Sequence, residues 1–225
     1  MTSALQIIDW ASLSEDQRRV ALQRPAQRNA AELFDRVRAI IDDVRARGDA
    51  ALLDFTQRFD GASLTTLEAT AAEFKSAEDL LSAEQQAALK RAIDNVQRFH
   101  EAQRPTTLRM EVSPGVVCEQ IHRPIRAVGL YVPAGVAPLP SAAIMLAVPA
   151  LIAGCKTRVL CTPPRKDGSV DPGVLVTAKL CGIDRVFKVG GAQAIAAMAY
   201  GTNTISKVDK VYGPGSSWVT AAKML

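Results

Sequence analysis

The spacing of hydrophobic residues changes period partway along the chain. In the first half, apolar side chains recur at helical spacing, for example at Leu33, Val37, Ile40, Ile41 and Val44. Ser14 with Gln17 and Ser82 with Gln85 each fit the S-x-x-Q capping box that starts a helix. The pattern therefore predicts a helical N-terminal region over residues 1–110.

From about residue 116, short apolar runs rich in β-branched residues take over, each followed by a helical or glycine-led segment. These runs are residues 127–132, 158–162, 185–189 and 209–212. Their starts lie 31, 27 and 24 residues apart, which is close to the length of a βαβ unit. We therefore predict an α/β fold in which a Rossmann-like parallel-sheet domain over residues 111–225 follows the helical region.

Composition changes at the same place. Residues 1–110 contain two glycines and two prolines, whereas residues 111–225 contain twelve and ten. The first part holds 15 basic and 17 acidic side chains and the second holds 12 and 6, so the predicted sheet domain is basic. Its Lys and Arg residues are scattered without interleaved aromatics, which argues against nucleic acid and is compatible with a small phosphate ligand.

Several classes of protein and site are disfavoured. The first residues carry no signal peptide pattern, and the longest apolar stretch, residues 142–153, contains Pro149 and is too short for a bilayer span, which predicts a buried helix. No two of the four cysteines form a CxxC pair, and their apolar neighbours predict reduced, packed thiols in the cytoplasm. His100 and His122 lack carboxylates at ligand spacing, so no metal site is predicted within this chain.

Ligands of such sheets bind where strands end and helices begin, here in loops 133–141, 163–171, 190–193 and 213–217. Three of these loops are unusual in composition. The first contains three prolines, the third leads through two glycines to Gln193, and the last is Gly-Pro-Gly followed by Ser216 and Ser217. None matches G-x-G-x-x-G or a Walker motif, and each glycine pair alone also fits a tight turn. Together, on one sheet edge, the three loops favour a shared cleft.

Read in order, these segments resemble histidinol dehydrogenase. The matching runs are GLYVP at 129–133, APLPS at 137–141, GCK at 154–156, VGGAQAIAA at 189–197 and KVDKVYGPG at 207–215. The resemblance implies a cytoplasmic, zinc-dependent homodimer with Rossmann-like domains of the aldehyde dehydrogenase kind. It also implies oxidation of L-histidinol through L-histidinaldehyde to L-histidine, with two NAD molecules, at the end of histidine biosynthesis.

The resemblance further implies which residues contact NAD. The family's tyrosine and glutamine correspond to Tyr131 and Gln193, and its third contact is usually asparagine where this chain has Ser216. A second departure is Ala134, where the family usually has glycine. A methyl group there is expected to clash if the backbone needs a positive φ.

The family's chain continues beyond residue 225, and the resemblance implies that its zinc ligands and its acid-base glutamate and histidine lie there. No residue of this chain is therefore nominated as catalytic or metal-binding, and these 225 residues alone are expected to be inactive. Two other interpretations stay open. One is a non-catalytic binding or subunit-pairing protein that retains the cofactor cleft, and the other is an aldehyde dehydrogenase-like enzyme with a cysteine nucleophile.

Overall fold

A computed structural model describes residues 7–22, 30–134, 137–183 and 185–225. Within these ranges a short 3₁₀ helix, Trp10–Ser12, is followed by α-helices and β-strands. The helices are α1 Glu15–Leu22, α2 Ala30–Arg47, α3 Asp49–Phe59, α4 Ala71–Leu80, α5 Ala83–Ala102, α6 Pro140–Ile152, α7 Pro172–Leu180, α8 Gly191–Tyr200 and α9 Ser217–Met224. The strands are β1 Leu108–Ser113, β2 Val116–Gln120, β3 Ala127–Tyr131, β4 Thr157–Thr162, β5 Val186–Lys188 and β6 Lys210–Tyr212.

Four strands form a parallel sheet in the order β5-β4-β3-β6. Counted from β3, this is the order 3-2-1-4 with which a doubly wound dinucleotide fold begins. The four predicted apolar runs coincide with these strands within two residues at each end. The α/β fold with a Rossmann-like parallel sheet is confirmed, and so is the helical N-terminal region before it.

Alternating side chains of the strands build a core on each face of the sheet. Tyr131 points into a core shared with α2, α3, α8 and α9, whereas Leu130 points into a core shared with α4 to α7. A side chain at Gly129 would stand 2.6 Å from the sulfur of Met198, so this glycine lets α8 pack closely on β3. Helices from the N-terminal region thus cover both faces, and the division of the chain into domains at residue 110 stays a prediction.

The N-terminal helices begin where polar caps hold them. The predicted capping boxes at Ser14 and Ser82 are both present, with each serine accepting from the backbone and each glutamine bonding back. Helices α2 and α3 meet at Gly48, whose φ of 56° turns the chain sharply between them. This turn folds α3 back beside α2 on one sheet face.

The outer edge of β5 is covered by a short segment. Ala69 N–H donates to the Val186 carbonyl at 2.8 Å, and Lys188 N–H donates to the Leu67 carbonyl at 2.7 Å. The buried ammonium of Lys188 lies 3.0 Å from a Glu73 carboxylate oxygen. This edge is therefore closed to further strand pairing.

An antiparallel hairpin of β1 and β2 lies outside the main sheet and was not predicted. All its residues are exposed, although Leu108, Met110 and Val112 alternate as in a strand with one apolar face. The prediction of packed thiols is correct for the buried Cys155 and Cys181 and for Cys161 in β4, but it is wrong for Cys118, because β2 has no layer packed on it.

Helix α6 contains the apolar stretch that was predicted to be a buried helix. Its inner face packs in the core, but Met145 and Leu151 on its outer face are 53% and 46% exposed. Within the described part of the chain, no helix has both the length and the apolar character that a bilayer crossing requires.

Candidate functional site

A cavity of about 780 Å³ opens at the edge of the sheet where the parallel strands end. Gly191, Gln193 and Ser216, from the connections after β5 and β6, line one side of it. Its volume lies within the range of about 300–1,000 Å³ typical of small-molecule sites. Two of the three glycine-rich or proline-rich loops predicted to share a cleft therefore do so.

Tyr131, the last residue of β3, is not among the residues that line the cavity, but it contacts the backbone of Gly191, which is. Its side chain is buried, and its phenolic oxygen accepts a hydrogen bond of 3.0 Å from the backbone N–H of Gly191. Burial raises the pKa of Tyr131, the hydrogen bond from Gly191 opposes that rise, and the Asp60 charge adds to it. The phenol therefore stays neutral at physiological pH and keeps a proton that it can donate.

The N-terminus of α8 faces the cavity. Gly190 is the extended residue before the helix, and Gly191 has a φ of 62°, in the left-handed region that favours glycine. A Cβ atom on Gly191 would lie 2.6 Å from the Gln193 side-chain oxygen, so space as well as conformation requires glycine here. N–H groups in the first turn have no partner within the helix, which makes this end suited to an anion such as a phosphate.

Gln193, in the first turn of α8, is 2% exposed and lines the cavity. No described residue forms a hydrogen bond with its carboxamide, although this group offers both a donor and an acceptor. Its oxygen and nitrogen are not among the fully buried polar atoms that lack partners, and the residue lies on the cavity wall. The carboxamide is therefore available to bond to a ligand in the cavity.

Ser216 is exposed and immediately precedes α9. Its hydroxyl makes no capping hydrogen bond to that helix, so it remains available at the cavity wall. Two neighbouring glycines fit this turn tightly: a Cβ on Gly213 would collide with the Tyr131 backbone, and one on Gly215 with the Val219 side chain. The turn after β6 is thereby held against the end of β3.

Helices α2 and α3 form the opposite wall, which sequence analysis missed. This wall consists of residues from the two helices and of Asp60, the residue after α3. The helix residues are Arg36, Ala39, Ile40, Asp43, Phe55, Arg58 and Phe59. The Arg36 guanidinium lies 5.0 Å from the ring centre of Trp218, a further wall residue, and Arg58 lies 5.5 Å from that of Phe59. Cationic and aromatic groups thus face the N-terminus of α8.

Asp60, which follows α3, is the titratable group that this cavity perturbs most. Burial raises its pKa to about 6, and its Oδ2 atom is buried without a hydrogen-bond partner among the described residues. Asp43 on the same wall differs, because its hydrogen bond to Arg47 at 2.7 Å lowers its pKa. A strongly perturbed carboxyl group in a cleft marks a candidate functional residue.

The described residues of the other two predicted loops are not among those that line the cavity. In the loop after β4, Asp171 caps α7 and pairs with Arg165. In the loop after β3, positions 135–136 lie outside the described residues, but Ala134 is described. No described residue other than glycine has a positive φ, so the alanine at 134 meets no backbone strain.

Nucleophilic thiols and metal clusters find little support in the described part of the chain. Burial raises the pKa of Cys155, that of Cys161 and, to about 11, that of Cys181, so these thiols stay protonated. His100 is half-buried on α5, and His122 is exposed. No group of three potential His, Cys, Asp or Glu ligands occurs within the described ranges.

Known proteins share both the sequence and the fold. A sequence model of the family described as histidinol dehydrogenase matches residues 22–225. The histidinol dehydrogenase of Xanthomonas euvesicatoria pv. vesicatoria is 56% identical over 97% of this chain and 51% of its own length, and that of Vibrio parahaemolyticus is 49% identical over 97% and 50%. The crystal structure of histidinol dehydrogenase from Elizabethkingia anophelis matches with a TM-score of 0.86 and 41% identity, covering 94% of this chain and 49% of that one. The chain thus spans about half the length of the curated relatives it matches.

Proposed function

The chain belongs to the histidinol dehydrogenase family, and from that premise we propose that it forms the NAD-binding part of an enzyme that oxidises L-histidinol to L-histidine. The proposed reaction passes through L-histidinaldehyde and belongs to histidine biosynthesis. The observation that carries the assignment to NAD is the carboxamide of Gln193, which lies on the cavity wall at a glycine-led helix N-terminus without a hydrogen-bond partner among the described residues. A bound ligand would supply this carboxamide with the hydrogen-bond partners that it lacks.

The described residues fit the separate chemical parts of NAD. The N-terminus of α8 suits the diphosphate, since its N–H groups and the helix dipole favour negative charge. At the cavity wall, Gln193 can donate and accept, and Ser216 can add a hydroxyl. Tyr131 accepts from the Gly191 N–H and keeps a phenolic proton that it can donate. When bound, NAD supplies the acceptor for the hydride that leaves the alcohol and then the aldehyde.

The remaining chemistry of the proposed reaction is assigned to residues outside those the structure describes. Zinc would require a cluster of ligands that the described ranges do not provide. Proton acceptors for the alcohol must likewise come from elsewhere in the enzyme. We further propose that the enzyme is a homodimer located in the cytoplasm. In this proposal residues 111–225 form the NAD-binding domain, and the helical region contributes the opposite wall of the cavity.

Nucleotide binding can be tested by energy transfer, because Trp218 lines the cavity. NADH titrated into the protein is expected to quench tryptophan emission and to gain sensitised emission of its own. Gln193→Leu should weaken binding about tenfold or more, since it removes two hydrogen bonds of about 0.5–1.5 kcal/mol each. The melting temperature of Gln193→Leu should change little, because the carboxamide makes no hydrogen bond to a described residue that the folded protein would lose.

Gln97→Leu is the matched control, since Gln97 is exposed on α5, which packs on the other sheet face. This variant should bind NADH as the unmodified protein does. If the unmodified protein binds no NADH, or if Gln193→Leu binds it equally well, the proposed site is wrong.

A further inference from the structure

Asp60 has no structural role that explains its position. Its backbone ends α3, but its side chain lines the cavity with one buried oxygen unpartnered. The other charged cavity residues have neighbours of their own: Asp43 bonds to Arg47, Arg36 lies over Trp218, and Arg58 lies over Phe59. No described cation lies within ion-pair distance of Asp60, and burial is the one cause of its raised pKa.

The sheet itself lacks an acidic residue where dinucleotide folds commonly have one. In that fold, an acid at the end of the second strand accepts a hydrogen bond from a ribose hydroxyl. Here the second strand, β4, ends at Thr162 and is followed by Pro163 and Pro164. The first carboxylates after them serve the loop, since Asp167 bonds to Ser169 and Asp171 caps α7.

Asp60 supplies a carboxylate to the cavity from the opposite wall. A pair of vicinal hydroxyls donates to a carboxylate without needing a cation beside it, which suits an acid that has no ionic partner. A phosphate on the same sugar would be repelled by that carboxylate and would lose the hydroxyl donor. The side chain therefore has the chemistry to accept a free ribose diol and to reject a phosphorylated one.

We propose that Asp60 is a specificity-determining residue that accepts hydrogen bonds from a ribose diol of the dinucleotide and thereby favours NAD over NADP. The inference rests on the proposed function, because it requires that the cavity bind a dinucleotide. It adds to that function a residue from the helical region, on the wall facing Gln193.

The test compares, by calorimetry, the binding of NAD and of NADP to the unmodified protein and to the Asp60→Asn variant. The substitution keeps the shape and removes the charge, so NAD should bind about tenfold more weakly as charge-assisted hydrogen bonds become neutral ones. Asp35→Asn is the control, because Asp35 is exposed on α2 and does not line the cavity. That control should bind both nucleotides normally.

The outcomes distinguish the inference from the proposed function. If Asp60→Asn weakens NAD but not NADP, the diol is that of the adenosine ribose, as the inference requires. If it weakens both alike, Asp60 does not distinguish the two nucleotides, and its role in specificity is overturned. Unchanged affinity for both overturns the inference while leaving the proposed function intact. Binding of neither nucleotide by the unmodified protein overturns the proposed function, and the inference with it.

A second measurement needs no variant. Because the diol binds the ionised carboxylate and the pKa of Asp60 is about 6, NAD affinity of the unmodified protein should fall about tenfold between pH 7.5 and pH 5. The other charged groups of the cavity wall are Arg36, Arg58 and Asp43, and the lowered pKa of Asp43 keeps that carboxyl group ionised across this range. An affinity that is constant across this range contradicts the inference.

Discussion

Replacing Gly191 by alanine tests whether the N-terminus of α8 is built around its ligand. The substitution places a methyl group on a residue with a φ of 62°, which costs about 1–2 kcal/mol in the left-handed region. The new Cβ would also lie 2.6 Å from the Gln193 side-chain oxygen. Turning that carboxamide away from its rotamer adds about 0.5–1.5 kcal/mol.

These contributions predict a measurable change in unfolding. Together they reduce the free energy of unfolding by about 1.5–3.5 kcal/mol, which lowers the melting temperature by about 3–14 °C in a protein of this size. The variant should also bind NADH at least tenfold more weakly, because both the helix N–H groups and the Gln193 carboxamide are displaced.

Gly182→Ala separates backbone strain from the effect on the ligand. Gly182 has a φ of 69°, and its nearest neighbour to a new Cβ is the Arg158 guanidinium at 3.7 Å, an ordinary contact. It lies between α7 and β5, where the parallel strands begin, whereas the cavity lies where they end. This control should lose about 1–2 kcal/mol of stability and keep full NADH affinity. Equal NADH affinities in the two variants would refute the reasoning.

Two further results are expected. Ser216→Asn should strengthen NADH binding several-fold in the same titration, since the amide adds a donor and an acceptor while asparagine starts a helix as well as serine does; weaker or unchanged binding would count against a role for this position. Asp60→Asn should raise the melting temperature at pH 7.5 but not at pH 4. A folded-state pKa of about 6, above the ordinary 3.8, means that this carboxyl group destabilises the fold as pH rises through that interval, so a gain that is the same at both pH values would contradict its burial.

Much of the sheet was predictable because its signals are local. The run at 127–132 is apolar on both faces, as a strand between two helical layers must be, and glycines mark where β5 and β6 give way to helices. The caps at Ser14 and Ser82 likewise depend on residues three apart. Such features depend on neighbouring residues in the sequence and not on how the rest of the chain packs.

The hairpin of β1 and β2 was missed although a local signal existed. Pro114 and Gly115 mark a turn, and the apolar positions before it alternate with period two. The change of period near residue 116 belongs to the second strand of this hairpin and comes before the first strand of the parallel sheet at Ala127. The prediction for Cys118 is wrong for the same reason, since its apolar neighbours lie on a strand that has no covering layer.

The second wall of the cavity was not predictable from local pattern. Arg58 and Asp60 read as ordinary polar residues at the end of a helix, and nothing nearby in sequence sets them apart. They reach the cavity because α2 and α3 pack across the sheet face that also carries α8. The raised pKa of Asp60 is a product of that packing, since the group is buried only once the helices and sheet come together.

The most direct test is a crystal structure of the protein grown with NAD. We expect the diphosphate at the N-terminus of α8, within hydrogen-bond distance of its first backbone N–H groups, and a ribose facing Asp60 across the cavity. Density for the diphosphate at the N-terminus of α6, directly after β3, would place the dinucleotide where doubly wound folds commonly bind it. That result would contradict the site described here.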